Sequence, residues 1–355
     1  MYFSRRDIRF LRPIFAVCRL FALVPYYNFE KFSLEHQLWQ KIQAWTYLIL
    51  LTTWTVISAS TRIKSFKFLT IGVGITTDTI DRVFTVAIPF VGIANSCILN
   101  QDKWRLLNNN FQQIDKIFKT RDDRVKVYQA PVLQLFLYIF TYLSVTCYVT
   151  YAWSPIDHTE SNIINDMCSL YYILQITLIV NYALALKNRF KELQKYLKIE
   201  TSCRYVGTLY RILTTMMEMV NDIFGWTLIL ILAKCITSSL SSLYTCIAGY
   251  EFNANFTISY ILFALFNTFG TILLIMTCSG VHSESQKLVG VCYEYQDRFS
   301  DESKKRRELL RLAQQVNANI AQITAANFFD ISRSTFLGIL ATITTYFIVI
   351  IEFGF

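Results

Sequence analysis

Glu352 stands three residues from the end of the chain, directly after an uncharged stretch from Thr335 to Ile351. A carboxylate at such depth is costly unless it faces water, protein or an opposite charge. On a helix, Ile348 and Val349 lie one turn before it and Thr344 and Thr345 two turns before, so one face carries weakly polar and apolar layers ending in an acid. Such a face suits the wall of a water-filled pore. Thr345, Ile348, Val349, Glu352 and Phe353 are the candidate pore-lining or gate residues. If several copies surround an axis, Glu352 forms a ring of carboxylates that concentrates cations, and Ile348, Val349 or Phe353 can close a narrow pore by dewetting.

Other reactive side chains form no catalytic constellation. His36, His158 and His282 lie in separate regions, and no Gly-rich phosphate loop or Gly-x-Ser-x-Gly elbow is present. The nine cysteines show no Cys-x-x-Cys pair, so neither a metal site nor a cofactor is expected, and neither is an enzyme. Most of these cysteines sit in or beside apolar spans as small buried groups, while Cys147 and Cys168 flank one expected outer loop and could pair. Asp78 and Arg82 are four apart, the spacing of a helical ion pair, with Asp81 beside them. Lys234 falls inside an apolar span, where it must snorkel or meet a partner.

These groups have to be positioned by membrane elements. Of 355 residues, 54% are hydrophobic and only 17% charged, below the roughly 25% usual for soluble domains. Uncharged runs at 42–61, 83–101, 127–156, 167–186, 225–250 (interrupted by Lys234), 252–281 and the terminal stretch predict an all-α membrane protein with seven transmembrane helices. A net charge of +9 alone is compatible with a nucleic-acid surface, but the basic residues alternate with uncharged spans instead of clustering on a soluble face. They cluster in 1–41 and in the second-to-third, fourth-to-fifth and sixth-to-seventh connections. By the positive-inside rule this puts the N-terminus in the cytoplasm and the C-terminus outside. Arg5, Arg6, Arg9, Arg12 and Arg19 interrupt any N-terminal signal sequence. That orientation is inverted relative to a G-protein-coupled receptor, and neither Asp-Arg-Tyr nor Asn-Pro-x-x-Tyr occurs where such a receptor carries it.

The connections are patterned. Leu309, Leu312, Val316, Ile320 and Ile323 predict a helical stripe in the last inner loop, and 187–224 reads as helix extending the membrane spans into the cytosol. The one sequon, Asn255-Phe256-Thr257, lies on the expected outer side.

Thr345-Tyr346, five hydrophobic residues, then Glu352-Phe353 resembles the C-terminal signature of insect gustatory receptors, with Glu352 where that family carries Gln. Phe328-Phe329-Asp330-Ile331-Ser332-Arg333 is also similar to the segment that leads into the family's last helix. The resemblance implies a ligand-gated, non-selective cation channel in the plasma membrane of chemosensory neurons, opened by a sugar or bitter tastant. It further implies a homo- or hetero-tetramer with the last helix lining the pore. The chain then divides into a cytoplasmic 1–41, a ligand-binding bundle 42–281, an intracellular anchor 282–326 and a pore helix 327–355. The family places its ligand among the outer halves of spans two to six. There this sequence offers Tyr142, Thr146, Tyr148, Tyr171, Tyr172, Gln175, Ser241, Tyr244, Tyr260 and Asn267, aromatic faces with hydroxyl and amide groups suited to small polar organics. A metabotropic receptor or a secondary transporter is the alternative reading. The transporter should show paired, broken-helix halves, and no such symmetry is visible.

Overall fold

The computed structural model describes residues 8–31, 33–65, 72–119, 130–153, 159–199, 203–248, 254–299 and 303–354. The described part of each predicted span falls mainly on a helix: α2 (Gln37–Ser65), α3 (Gly72–Ile93) with a π-helical continuation over Ala94–Leu99, α5 (Ala130–Trp153), α6 (Thr159–Ile199), α7 (Cys203–Ala248), α8 (Ala254–Gln296) and α10 (Arg333–Gly354). Among the described residues, five helices are long and apolar enough to cross a membrane, and α5 adds a shorter apolar stretch, Phe136–Tyr151. Along α2, Trp45, Ile49, Trp54 and Val56 are exposed, as side chains are where lipid covers a helix.

Helices α6, α7 and α8 run uninterrupted for 41, 46 and 43 residues. At about 1.5 Å per residue each exceeds a hydrocarbon core of about 30 Å by a wide margin. The surplus includes 187–224, where apolar periodicity predicts helical extensions of the spans, except that the chain passes from α6 to α7 between Ile199 and Cys203.

The extensions pack with α1 (Arg12–Leu20) and α4 (Gln101–Lys119) around Trp104, which is fully buried. Its ring meets Phe15, Tyr182 and Phe224 edge-on at centroid separations of 5.6, 5.4 and 5.5 Å, tying α1, α6 and α7 to α4. Beside this cluster Arg189 holds Asp115 with both arms of its guanidinium, Nε to Oδ1 at 3.0 Å and Nη2 to Oδ2 at 2.9 Å. The backbone N–H of Ile8 donates to the same carboxylate at 3.0 Å, and Nη1 donates to the Ala185 carbonyl at 3.0 Å. A buried ion pair is tolerated when its remaining donors and acceptors are satisfied in this way.

The last inner segment differs from its periodicity. Helix α9 (Lys304–Ala318), capped by the Ser303 hydroxyl accepting from the Arg306 N–H at 3.1 Å, buries Leu309, Leu312 and Val316 as predicted. It stops before Ile320 and Ile323 because Asn319 leaves helical geometry, and Ile323 is buried instead at the start of a hairpin. That hairpin pairs β3 (Thr324–Ala325) with β4 (Phe329–Asp330), so residues 327–332 are not the first turn of the pore helix. α10 begins at Arg333, and α8 carries the sixth span on through 282–296, inside the segment expected as anchor. At the hairpin tip Ala326 and Asn327 are left-handed, φ 47° and 62°. Asn221 of α7 holds the hairpin from both sides, accepting from the Thr324 N–H at 3.0 Å and donating to the Gln322 carbonyl at 3.1 Å.

A second small hairpin, β1 (Tyr27–Asn28) with β2 (Ser33–Leu34), joins α1 to α2 in the segment expected only to be cytoplasmic.

Candidate ligand site and pore helix

Where α3, α6, α7 and α8 meet, the core turns polar. Lys234 of α7 is fully buried. Its ammonium donates to the Thr85 hydroxyl on α3 and lies 5.6 and 5.9 Å from the ring centroids of Tyr172 and Phe263. That answers the question the sequence leaves open: the side chain faces inward and does not snorkel. Pro89 contributes one turn later on α3, because it cannot donate to the Thr85 carbonyl and leaves the helix locally open. Thr237, one turn along α7, donates to Asp81 Oδ1 at 3.1 Å. Acid and ammonium therefore share a neighbourhood without direct contact. The predicted Asp78–Arg82 pair rests on Asp78, whose side chain lies outside the described residues.

Tyr172 and Asn267 come together as sequence reasoning grouped them. The Tyr172 hydroxyl donates to the Asn267 carbonyl at 3.1 Å and bonds the Thr271 hydroxyl at 3.0 Å, while Asn267 Nδ2 donates to Ser238 at 3.2 Å. Tyr142 reaches the edge of this cluster through Phe266, at 6.0 Å between centroids, with its hydroxyl donating to the Asp166 carbonyl at 2.6 Å. Thr146 is half-buried one turn beyond it, and Tyr260 is half-buried on α8. Tyr171 turns the other way and meets Phe21 edge-on at 5.5 Å, so it belongs to the seam with the N-terminal segment. Gln175 is fully buried against Gly92 of α3, with neither amide atom hydrogen-bonded, and the buried hydroxyls of Tyr244 and Tyr138 are likewise unpartnered.

Buried polar atoms without partners are uncommon in stable cores and cost about 1–3 kcal/mol each. Sequence reasoning left Lys234 between two readings and missed Thr85, Thr237 and Tyr138 as members of this cluster. The break that Lys234 makes in an apolar run was the one available signal.

Cys147 and Cys168 do not pair: both are free, Cys147 exposed on α5 and Cys168 buried on α6. Among the described residues no group of His, Cys, Asp and Glu could hold a metal ion.

Helix α10 is built differently. Ile339 is buried where the helix leaves the hairpin and packs against α7 and α8, but only 6% of its most apolar window is buried within the chain. Thr345, Ile348, Val349 and Glu352 all lie exposed along one stripe, and Tyr346 is exposed on another face. Phe353 lies outside the residues whose side chains are described. An apolar helix bared to this extent requires lipid or other copies of itself. Its attachment runs through α7: a Cβ added to Gly225 would sit 2.7 Å from the Ala326 nitrogen and 2.8 Å from its Cα, so the tip of the hairpin rests directly on α7 backbone.

A family model described as 7tm chemosensory receptor matches residues 11–355. Among solved structures the fold is similar to the insect olfactory receptor OR5 from Machilis hrabei in complex with eugenol. That likeness has a TM-score of 0.64 at 13% identity, over 97% of this chain and 98% of the other. No curated protein sequence matches the chain.

Proposed function

The chain belongs to the 7tm chemosensory receptor family, and on that premise we propose that it is a gustatory receptor acting as a ligand-gated, non-selective cation channel. In this reading seven helices cross the plasma membrane of a chemosensory neuron, the N-terminus is cytoplasmic and the C-terminus outside. Four copies gather around their α10 helices. The protein binds its small-molecule tastant without transforming it. The C-terminal Thr345-Tyr346 to Glu352-Phe353 signature favours taste over smell as the modality.

The observation that carries the channel reading is α10: apolar, exposed on nearly all faces, and tipped by a carboxylate. Packed symmetrically, the stripe of Thr345, Ile348, Val349 and Glu352 lines the axis, the aliphatic layers form the gate, and the acidic ring selects cations. The tastant occupies the polar cluster between α3, α6, α7 and α8. The solved olfactory receptor was captured with eugenol, which agrees with a small aromatic or polar organic as occupant.

Helix α7 joins the two. Lys234 lies nine positions from Gly225, about 14 Å along the axis, so the helix that borders the ligand also carries the hairpin in front of α10. A ligand that prefers the open arrangement shifts the population. Moving it from 1:99 to 99:1 requires about 5.5 kcal/mol of preference summed over the sites.

The test is whole-cell recording from cells expressing the chain alone, with G-protein signalling blocked, while sugars and bitter compounds are applied. Ligand-evoked cation current supports the proposal. A response abolished by the block assigns a metabotropic receptor, and stoichiometric uptake without conductance assigns a transporter.

A further inference from the structure

The N-terminal segment encloses a cavity of about 180 Å³ that the channel reading does not use. Helix α1 forms one wall, with Arg12, Ala16 and Arg19 falling on one face at spacings of four and three. The β1–β2 region supplies the other wall through Tyr26, Asn28 and Glu30.

The two arginines are held open. Arg19 lies over the Tyr26 ring at 4.3 Å, and among the described residues its guanidinium has neither an ion pair nor a hydrogen bond. Among the described residues Arg12 pairs only with Glu30, at 3.5 Å and on the surface. Two planar forks across a small polar cavity match the oxygens of a phosphate, which guanidinium groups bind bidentately.

The surroundings say where that phosphate comes from. Tyr47 of α2 donates to the Leu20 carbonyl at 2.8 Å and Gln43 to the Arg19 carbonyl at 3.5 Å, so the end of α1 is docked onto the inner end of the first apolar span. Leu20 at the end of α1, and Leu38, Trp39 and Ile42 in the first turns of α2, are exposed apolar side chains, a collar for this end of the span. A soluble phosphate has no use for that collar, whereas a lipid places its headgroup in the cavity and its chains along the collar.

We propose that the Arg12–Arg19 cavity binds the phosphate headgroup of an anionic membrane lipid. On the topology proposed above, this lipid belongs to the inner leaflet, whose surface is negative. Only that assignment to a leaflet rests on the topology.

The full chain in detergent is incubated with dioctanoyl phosphatidic acid, dioctanoyl phosphatidylcholine or glycerol phosphate, and retained adducts are counted by native mass spectrometry. Phosphatidic acid should be retained and the other two not. Arg12→Gln and Arg19→Gln should each weaken retention about five-fold, taking roughly 1 kcal/mol per juxtamembrane cation. Glu30→Gln removes the carboxylate that competes for Arg12 and should strengthen retention, an outcome that misfolding cannot mimic. The proposal is overturned if the double arginine variant or Glu30→Gln retains phosphatidic acid as the natural chain does. It is also overturned if phosphatidylcholine binds equally, or if glycerol phosphate binds as tightly, which would make the site one for a soluble phosphate. Retention in detergent depends on neither conductance nor orientation, so its failure leaves the channel reading intact.

Discussion

Gly225→Ala is expected to impair gating while leaving the bundle folded. The added methyl would meet the Ala326 nitrogen and Cα at 2.7 and 2.8 Å, and since both are backbone atoms no side chain can swing aside. The hairpin must therefore lift from α7, which loosens the two hydrogen bonds that Asn221 makes to Gln322 and Thr324. Overpacking of this kind costs about 1–3 kcal/mol. If the cost falls on the coupling between ligand site and pore helix, agonist potency should drop about five- to 150-fold. Ala326→Gly should not rescue it, because the atoms in conflict remain, although it relaxes the left-handed φ of 47°. The assay is a concentration–response curve by calcium influx, normalised to surface protein. A Gly225→Ala curve that superimposes on the natural one at equal surface expression would refute transmission through this seam.

Further expectations follow from the same geometry. Lys234→Met keeps the length of the side chain but removes the buried ammonium from between Thr85, Tyr172 and Phe263, and should change the rank order of agonists more than the maximal current. Unchanged ranking across a panel of sugars and bitter compounds would exclude Lys234 from the ligand site. Asp115→Leu strands the buried guanidinium of Arg189 and should destabilise by about 3–5 kcal/mol, whereas adding Arg189→Met should recover most of it. Thermal unfolding in detergent reads both, and additive losses would contradict the pairing argument. Glu352→Gln should lower divalent relative to monovalent permeability, read as a shift in reversal potential on ion substitution.

The helical layout was legible because uncharged runs between basic clusters need no tertiary information. That Thr345, Ile348, Val349 and Glu352 share one face of α10 was legible for the same reason, being local and periodic. What escaped was non-local or aperiodic. Thr85 lies 149 positions from Lys234, and Asp115 lies 74 from Arg189, so no spacing rule joins them. The β1–β2 and β3–β4 hairpins have two-residue strands, too short for alternation to show, and the second turns on left-handed Ala326 and Asn327 without a glycine to announce it. Ile320 and Ile323 kept the period of α9, and only the departure of Asn319 from helical geometry ended the helix before them. Among the ligand candidates, Tyr172 and Asn267 meet, as their similar depth along the spans suggests. Tyr171, adjacent in sequence, points to another seam because neighbouring residues on a helix stand about 100° apart.

The most direct measurement joins one copy to the next. In a Cys147→Ser background, which removes the exposed native thiol on α5, Val349→Cys is introduced and intact cells are treated with a mild oxidant. If α10 helices line a common narrow axis, disulfide-linked dimers should form at Val349, while a control Val56→Cys on the exposed face of α2 should stay monomeric. Val349→Cys that remains monomeric under the same oxidation would contradict the account.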